Sequence, residues 1–443
     1  MLRGSPLVLR RIRTVSKSQL QAPRGTRDLY PDDMRFRKWL FGHFREVARR
    51  FGFEEVDAPI VEHAELFIRK AGEEITEQLY HFELHDRHLA LRPEMTPSIA
   101  RMVIAQQGGL KLPLRWYAIT QNWRYERMTR GRKREHYQWN MDVWGEPGVA
   151  AEAELVAAVL ALVDRVGLPR EAVRVRYNSR RLLEESLRAG VLAERPDAFE
   201  PLCVIIDKLA KIGADKVVEL LCAADGGVGL SEEEARRVIA MLSATSLEEA
   251  AEHAPEGSQA LAELVRFQEL MGAYGEAERV VFDASVVRGL AYYTGIVFEA
   301  FDAGGNLRSI CGGGRYDRLA ETLGGKPIEA VGFGFGDVVI AELLKDHGLL
   351  PALTKEVDEV VYAFGESERA AAVGLAQSLR AEGRAVELVL GTPKLKKVMQ
   401  EADRVGATRV HLLGPDELAR GVAKVRELAS GDESEAPLPS GAV

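Results

Sequence analysis

Two segments, RWYAITQNW from Arg115 and HYQWNMDVW from His136, constrain the fold of this chain more than any other feature. Both are rich in aromatic residues of the kind that suit a pleated, half-buried surface. The loop between them carries Arg124, Arg127, Arg130, Arg132, Lys133 and Arg134 and shows no helical periodicity. A parallel return would need a crossover, usually a helix, so the two strands are expected to pair antiparallel. Between residues 115 and 138 seven basic residues stand against only two acids, Glu126 and Glu135, although the whole chain has a net charge of −8. Partners read such local patches rather than totals. The loop suits a nucleotide triphosphate or an RNA end, or else it is a solvated basic hairpin.

At 443 residues and 46% hydrophobic content, the chain can bury several cores. Charged residues interrupt every apolar stretch before it reaches the roughly 20 residues that span a bilayer, so no membrane partner is expected. The three cysteines, Cys203, Cys222 and Cys311, are too scattered for a paired-cysteine zinc site and too few for a disulfide framework, which favours a reducing compartment. Arg3, Arg10, Arg11, Arg13 and Lys17 lie among serines in a leader without acids. That composition is either a short organellar transit peptide, a disordered basic leader, or sequence ahead of the true start.

Apolar Phe36, Leu40, Phe44, Val47 and Phe51 follow Pro31-Asp32-Asp33 at helical spacing, which predicts one long helix to about residue 50, stopped at Gly52. The next segment begins as a strand whose Pro59 belongs at a sheet edge or bulge, and an edge strand beside a long helix suggests a dimer surface. Alternation over residues 78–92 around HDRH predicts a hairpin. Its turn is expected to point His81, His85 and His88 to different faces, so no zinc is expected there. Residues 170–280 read as helices broken by glycine and proline. Strands then return and end in the glycine-rich stretches SICGGGRYD and AVGFGFG, which permit close backbone approach or simply turn the chain. From about residue 357, VDEVVYAF, AVELVL and TRVHLLG alternate with helical segments, a pattern that predicts a small α/β domain.

The expected architecture is α+β. Its parts are a basic leader (1–21), an antiparallel-sheet domain in two pieces (22–169 and 281–350), a helical insertion (170–280), a C-terminal α/β domain (351–430) and a disordered acidic tail (431–443).

Candidate chemistry gathers in three places. Residues 287–299, VRGLAYYTGIVFE, set Arg288 beside Tyr292 and Tyr293. They form either a pocket wall with one fixed cation and hydroxyl handles, or a buried strand whose arginine pairs with an acid. In LRPEMTPS, Glu94 and Thr96 can accept hydrogen bonds from an ammonium group. With the arginine loop, these pieces would suit a small zwitterion that becomes adenylated.

PRGTRDLYPDD, LRPEMTPSIARM, NWRYER with its continuation EHYQWNMDVWGE, and RGLAYYTGIVFEAF together resemble the signatures of the histidyl-tRNA synthetases, a class II aminoacyl-tRNA synthetase family, across about residues 22–430. The resemblance implies an antiparallel catalytic sheet, a helical insertion that helps embrace tRNA, an anticodon-binding C-terminal domain and a homodimer. It further implies ATP and Mg²⁺, without zinc, for ligation of L-histidine to tRNA(His) through histidyl-adenylate, with release of AMP and diphosphate. A cytoplasmic location is expected, with a mitochondrion or plastid as the alternative if the leader is a transit peptide.

On this resemblance Glu94, Thr96 and Gln138 hold the α-amino group of histidine, Met95 belongs to the same histidine-binding set, and Asp142, Tyr292 and Tyr293 read the imidazole. Arg124 contacts the α-phosphate and the carboxylate, Arg288 neutralises charge that builds in the transition state, and Glu126, Arg132 and Arg134 serve the rest of ATP. The Mg²⁺ ligands are left open. Two positions depart from the family pattern: Val339 stands where an arginine for the outer phosphate is expected, and Ala291 where an acid often precedes the tyrosines. The regulatory subunit of ATP phosphoribosyltransferase shares the same core but lacks the C-terminal domain, whereas KLKKVMQEADRVGA and LGPDELARG are present here.

Overall fold

The computed structural model describes residues 20–68, 77–224, 227–286, 293–305 and 307–439. They divide into two compact units, one of residues 20–28 and 39–350 and the other of residues 29–38 and 351–439. Of the anticipated site residues, Arg288 and Tyr292 lie outside the described residues, as do Ala291 and most of the basic leader.

The larger unit starts its sheets with β1 (Glu54–Glu55), followed by β2 (Val61–His63), β3 (His81–Leu84) and β4 (Arg87–Leu91). The long pair β5 (Leu114–Trp123) and β6 (Glu135–Trp144) comes next, then β7 (Val173–Ser179) and β8 (Val280–Phe282). The unit closes with β9 (Ile296–Asp302), β10 (Cys311–Arg315) and β11 (Ala330–Gly336). Eight of these form one sheet in the order β1-β5-β6-β11-β10-β9-β7-β8, and β2, β4 and β3 form a small sheet of three. Only the outermost pairs, β1 with β5 and β7 with β8, are parallel. The antiparallel pairing of β5 with β6 runs from Leu114↔Trp144 to Trp123↔Glu135, as their composition anticipates.

The helix Pro31–Arg50 buries Leu40, Phe44, Val47 and Ala48. Phe44 stacks on Trp139 of β6 with ring centroids 5.1 Å apart, and Gly52, at φ 76, takes the left-handed turn that ends the segment. The β3–β4 hairpin turns through His85 and Asp86 at φ 50 and 58, the mirror-image geometry that matches strand twist. A two-residue turn puts His81 and His88 on one face rather than on different faces: His81 Nδ1 lies 3.0 Å from His88 Nε2. The expectation that the turn separates these imidazoles is therefore corrected. Among the described residues no group of three or more His, Cys, Asp or Glu is arranged to hold a metal.

Between β7 and β8 short helices enclose their own core, with Leu187, Phe199, Leu202, Ile206, Val217, Leu221 and Val238 buried. Ser231 caps the helix Glu232–Met241 in a reciprocal box with Glu234. This helical region opens on a strand that the periodicity reading missed. In β7, Val175 and Tyr177 point inward while Arg174 and Arg176 stay nearer solvent, and the strand pairs with β9 from Val173↔Asp302 to Ser179↔Ile296. The alternation V-R-V-R-Y is a period-two signal that the neighbouring helical runs obscured.

The second unit carries β12 (Glu359–Ala363), β13 (Val386–Leu388), β14 (Arg409–Leu413), β15 (Val422–Glu427) and β16 (Glu433–Pro437). Their order is β13-β12-β14-β15-β16, parallel among the first three and antiparallel beyond. The tail expected to be disordered thus supplies a strand as far as Pro437. Acidic residues that seemed to forbid structure instead face basic partners: Glu433 lies 2.7 Å from Lys424, and Glu435 pairs with Arg420.

One buried ion pair joins the sheet to the helix Ala150–Arg165. Arg315 at the end of β10 holds Glu152 through two contacts, Nε to Oε1 at 2.6 Å and Nη2 to Oε2 at 2.7 Å, and Glu152 is wholly buried. Burial alone pushes the Glu152 carboxyl upward, and the guanidinium opposes that push. Replacing Arg315 with alanine is expected to lower stability by about 3–5 kcal/mol, because it strands a buried carboxylate. Denaturant titration should show a smaller loss when Glu152→Leu is combined with Arg315→Met; equal losses would mean that the pair contributes through packing alone.

Candidate active site

Glycine at alternate sheet positions creates the room for the site. Gly332 and Gly334 on β11 stand opposite Asp142 and Asn140 of β6, while Gly312, Gly313 and Gly314 of β10 lie on the other flank of β11. A Cβ at Gly334 would sit 2.2 Å from Gln138 Nε2, and one at Gly332 would sit 2.5 Å from both Asp142 Oδ1 and the Tyr316 hydroxyl. One at Gly314 would meet the Tyr293 ring at 2.9 Å. The missing side chains are replaced by polar groups from neighbouring strands, and above them opens a cavity of about 370 Å³.

Glu94, Thr96, Arg124, Glu126, Arg132, Gln138 and Tyr293 all line that cavity. Glu94 and Thr96 sit where β4 gives way to the helix Thr96–Gln106. Arg124, just past the end of β5, donates from Nε to the Pro93 carbonyl at 2.9 Å, and its Nη2 lies 3.8 Å from Glu94 Oε2. The arginine and the acid are thereby anchored to each other's segments. Gln138 accepts from Asn122 Nδ2 at 2.9 Å, which orients its amide. In the arginine loop Gly131 turns at φ 79 and Arg132 pairs with Glu126.

Three anticipated residues are placed differently from the expectation. The Met95 side chain is fully buried in a core with Ile99, Ala100, Val103 and Trp144 and does not face the cavity. Its apolar thioether gains more from that core than from a polar site. Arg134 lies with its guanidinium 3.6 Å above the Tyr125 ring and donates to the carbonyls of Glu126 and Arg24. It braces the loop instead of lining the cavity. Asp142 is fully buried beneath the cavity and bonded to the hydroxyl of Tyr316, which does line it.

Tyr316 and Arg308, together with His136 and Glu299, line the cavity without having been singled out in the sequence. Tyr316 follows the glycine triplet directly in GGGRYD, and a polar aromatic beside glycines that leave space on a strand is the signal that could have found it. The N-terminal PRGTRD segment also has a visible task. Arg27 donates to Glu135 at 3.1 Å and lies 3.1 Å from Asp337, whose other oxygen accepts from the Tyr137 backbone at 2.9 Å. This clamp ties the start of β6 to the start of the helix Asp337–Asp346.

Burial, with the positive charges of Arg124, Arg27 and Arg132 nearby, pushes the His136 imidazole down to about 3. It is neutral across the physiological range. An unfolded imidazole takes its proton near pH 6.5, so the unfolded chain gains protons that the folded one refuses as pH drops. Stability contributed by neutral His136 is therefore present above about pH 6.5 and declines below it. A His136→Asn variant is expected to show a shallower fall in denaturation midpoint between pH 7.5 and 5.5. A fall parallel to that of the parent chain would assign the acid sensitivity to other groups.

Known proteins share this sequence and fold. The family model described as histidyl-tRNA synthetase matches residues 25–336, and one described as anticodon binding domain matches residues 358–440. The chain is 49% identical over 423 residues to the histidine–tRNA ligase, chloroplastic/mitochondrial, of Arabidopsis thaliana, covering 95% of this chain and 86% of that protein. It is 38% identical to the histidine–tRNA ligase of Opitutus terrae, covering 93% and 95%. Among solved structures, the histidyl-tRNA synthetase of Nostoc sp. PCC 7120 superposes with a TM-score of 0.74 at 25% identity, covering 94% of this chain and 97% of that one. A family model spanning most of the chain, two relatives matched along nearly their whole length and a shared antiparallel core lead to one conclusion: the chain belongs to the histidyl-tRNA synthetase family.

Proposed function

We propose that the chain ligates L-histidine to tRNA(His) in protein synthesis, activating the amino acid with ATP as histidyl-adenylate and releasing diphosphate, then AMP. The observation that carries this reading is the meeting of Glu94, Thr96, Gln138, Arg124 and Tyr293 around one cavity, in a chain of this family. Glu94, Thr96 and the oriented Gln138 suit an ammonium group. Arg124, placed beside Glu94, can reach the carboxylate and the α-phosphate together, which holds the reacting oxygens in attack geometry. Asp142, Tyr316 and Tyr293 form the polar end for an imidazole, with Tyr292 as their partner.

Adenylation needs no protein nucleophile. The substrate carboxylate attacks the α-phosphorus and pyrophosphate leaves. Arg288 meets the charge that develops there, a contribution that positioned cations make when water is excluded. Arg132 and Glu126 serve the nucleotide. The cavity carboxylates Glu126 and Glu299 are oxygen donors that would help hold the Mg²⁺ accompanying the triphosphate, and the ion would supply charge neutralisation there. Residues 22–169 and 281–350 act as the catalytic domain, 170–280 as the insertion that steadies tRNA, and 351–430 as the anticodon reader. A homodimer would use the short edge strand β1 and the exposed Ile60 and Val61 close to it. The name of the Arabidopsis relative favours the organellar alternative for the basic leader over a cytoplasmic location.

Histidine-dependent exchange of labelled pyrophosphate into ATP is the direct test, and a folded chain that exchanges none with histidine would overturn the proposal. Within the same assay, Tyr316→Phe removes the hydroxyl that touches Asp142. It is expected to raise the KM for histidine by about ten-fold or more, the cost of one hydrogen bond to a charged group, and to leave the KM for ATP nearly unchanged. An unchanged histidine KM would take Asp142 and Tyr316 out of substrate reading.

A further inference from the structure

The helix Asp337–Asp346 begins at the cavity wall, and the two residues of its first turn that line the cavity, Val338 and Val339, are apolar. A polyphosphate lying against that wall needs a cation from elsewhere. The β10–β11 ladder shows where one comes from. Cys311 pairs with Phe335, and the next step outward is kept by a bond from the Gly336 amide to the Ile310 carbonyl at 3.1 Å. Arg308 lies three residues ahead of Cys311, at the end of the ladder where β11 passes into the helix that carries Val338 and Val339. Arg308 is half-buried and lines the same cavity as both valines.

The positive groups around this cavity then divide by position. Arg124 is tied to the Pro93 carbonyl and lies near Glu94, at the amino-acid end. The Gly131 turn stands close to Val339, since a Cβ at Gly131 would sit 3.4 Å from Val339 Cγ2. Arg132 and Lys133 follow that turn and line the cavity together with Arg308 and both valines. The α-phosphate must lie where the amino acid's carboxylate reaches it, so the outer phosphates extend toward this second cluster.

We infer that Arg308 grips the outer phosphates of the bound nucleotide and supplies, from the segment ahead of β10, the positive charge that the valines of the neighbouring helix do not. A guanidinium fork suits two phosphate oxygens at once, and a half-buried position strengthens the contact relative to open water. The inference rests on the ATP-dependent reading above and adds to it a binding residue from a strand end.

The full chain carrying Arg308→Ala, with Arg308→Lys as a companion that keeps the charge, tests it by calorimetric titration and pyrophosphate exchange. Affinities for ATP and for inorganic pyrophosphate are expected to fall together by about ten- to a hundred-fold in Arg308→Ala, as for loss of a charge-assisted contact. AMP and adenosine should bind as before, the histidine KM should stay within a few-fold, and Arg308→Lys should retain much of the affinity. Unchanged ATP and pyrophosphate affinity in Arg308→Ala would overturn the assignment. So would an equal loss for adenosine, which would point to the base or to a distorted cavity. A parent chain that binds pyrophosphate through Arg308 yet shows no histidine-dependent exchange would overturn the functional reading while supporting this one.

Discussion

A side chain on a β-strand claims the space above its neighbours, and the site exists because β10 and β11 give that space up. Gly332 and Gly334 face across β6, and the volume their side chains would fill holds Asp142, Tyr316 and Gln138 instead. Polar groups can then sit low in a sheet without leaving an empty layer, which close packing would penalise. Glycine weakens a strand by its entropy and its missing contacts. Here flanking strands offset that weakness, because β11 is hydrogen-bonded along its length to both β6 and β10.

Charged links hold this arrangement from outside the cavity. Arg27 bridges Glu135 and Asp337, so the N-terminal segment joins the start of β6 to the helix after β11. Arg315 plays the matching part at the other side through Glu152, and its Nη1 also reaches the Glu146 carbonyl at 2.9 Å. Fixed in this way, the two strands that carry Gln138, Asp142 and the glycines cannot slide without breaking buried ion pairs. Register matters here more than elsewhere, since a one-residue slip would turn the site's side chains to the opposite face.

Much of this was legible in the sequence wherever one period prevailed. The helix Pro31–Arg50, the β5–β6 pair, the hairpin around residues 85 and 86, and the α/β order of the C-terminal unit follow from spacing and turn residues. β7 was not legible, because a single alternating strand stands at the head of a long helical stretch, and β16 was not, because an acidic tail rich in proline and serine has the composition of a disordered segment. At the site, Glu94, Thr96, Arg124 and Tyr293 were visible as chemistry, and Gln138 through the family resemblance alone. Met95 and Arg134 were carried along by adjacency in a motif, and the fold turns one into the core and the other onto Tyr125. Tyr316 owes its place to the end of β10 and Arg308 to the segment ahead of it, which sequence spacing does not reveal.

The strand Glu433–Pro437 has a consequence for how the molecule behaves in company. It covers β15, whose buried Ala423 and Val425 would otherwise border an open row of amide and carbonyl groups. The edge it presents in turn carries Glu433, Glu435 and a proline that has no amide hydrogen to donate. Charged and proline-ended edges are poor templates for a stray strand, so these last described residues act as a guard against sheet-to-sheet aggregation. A chain cut shortly before residue 433 would keep its cavity intact and yet expose an adhesive border.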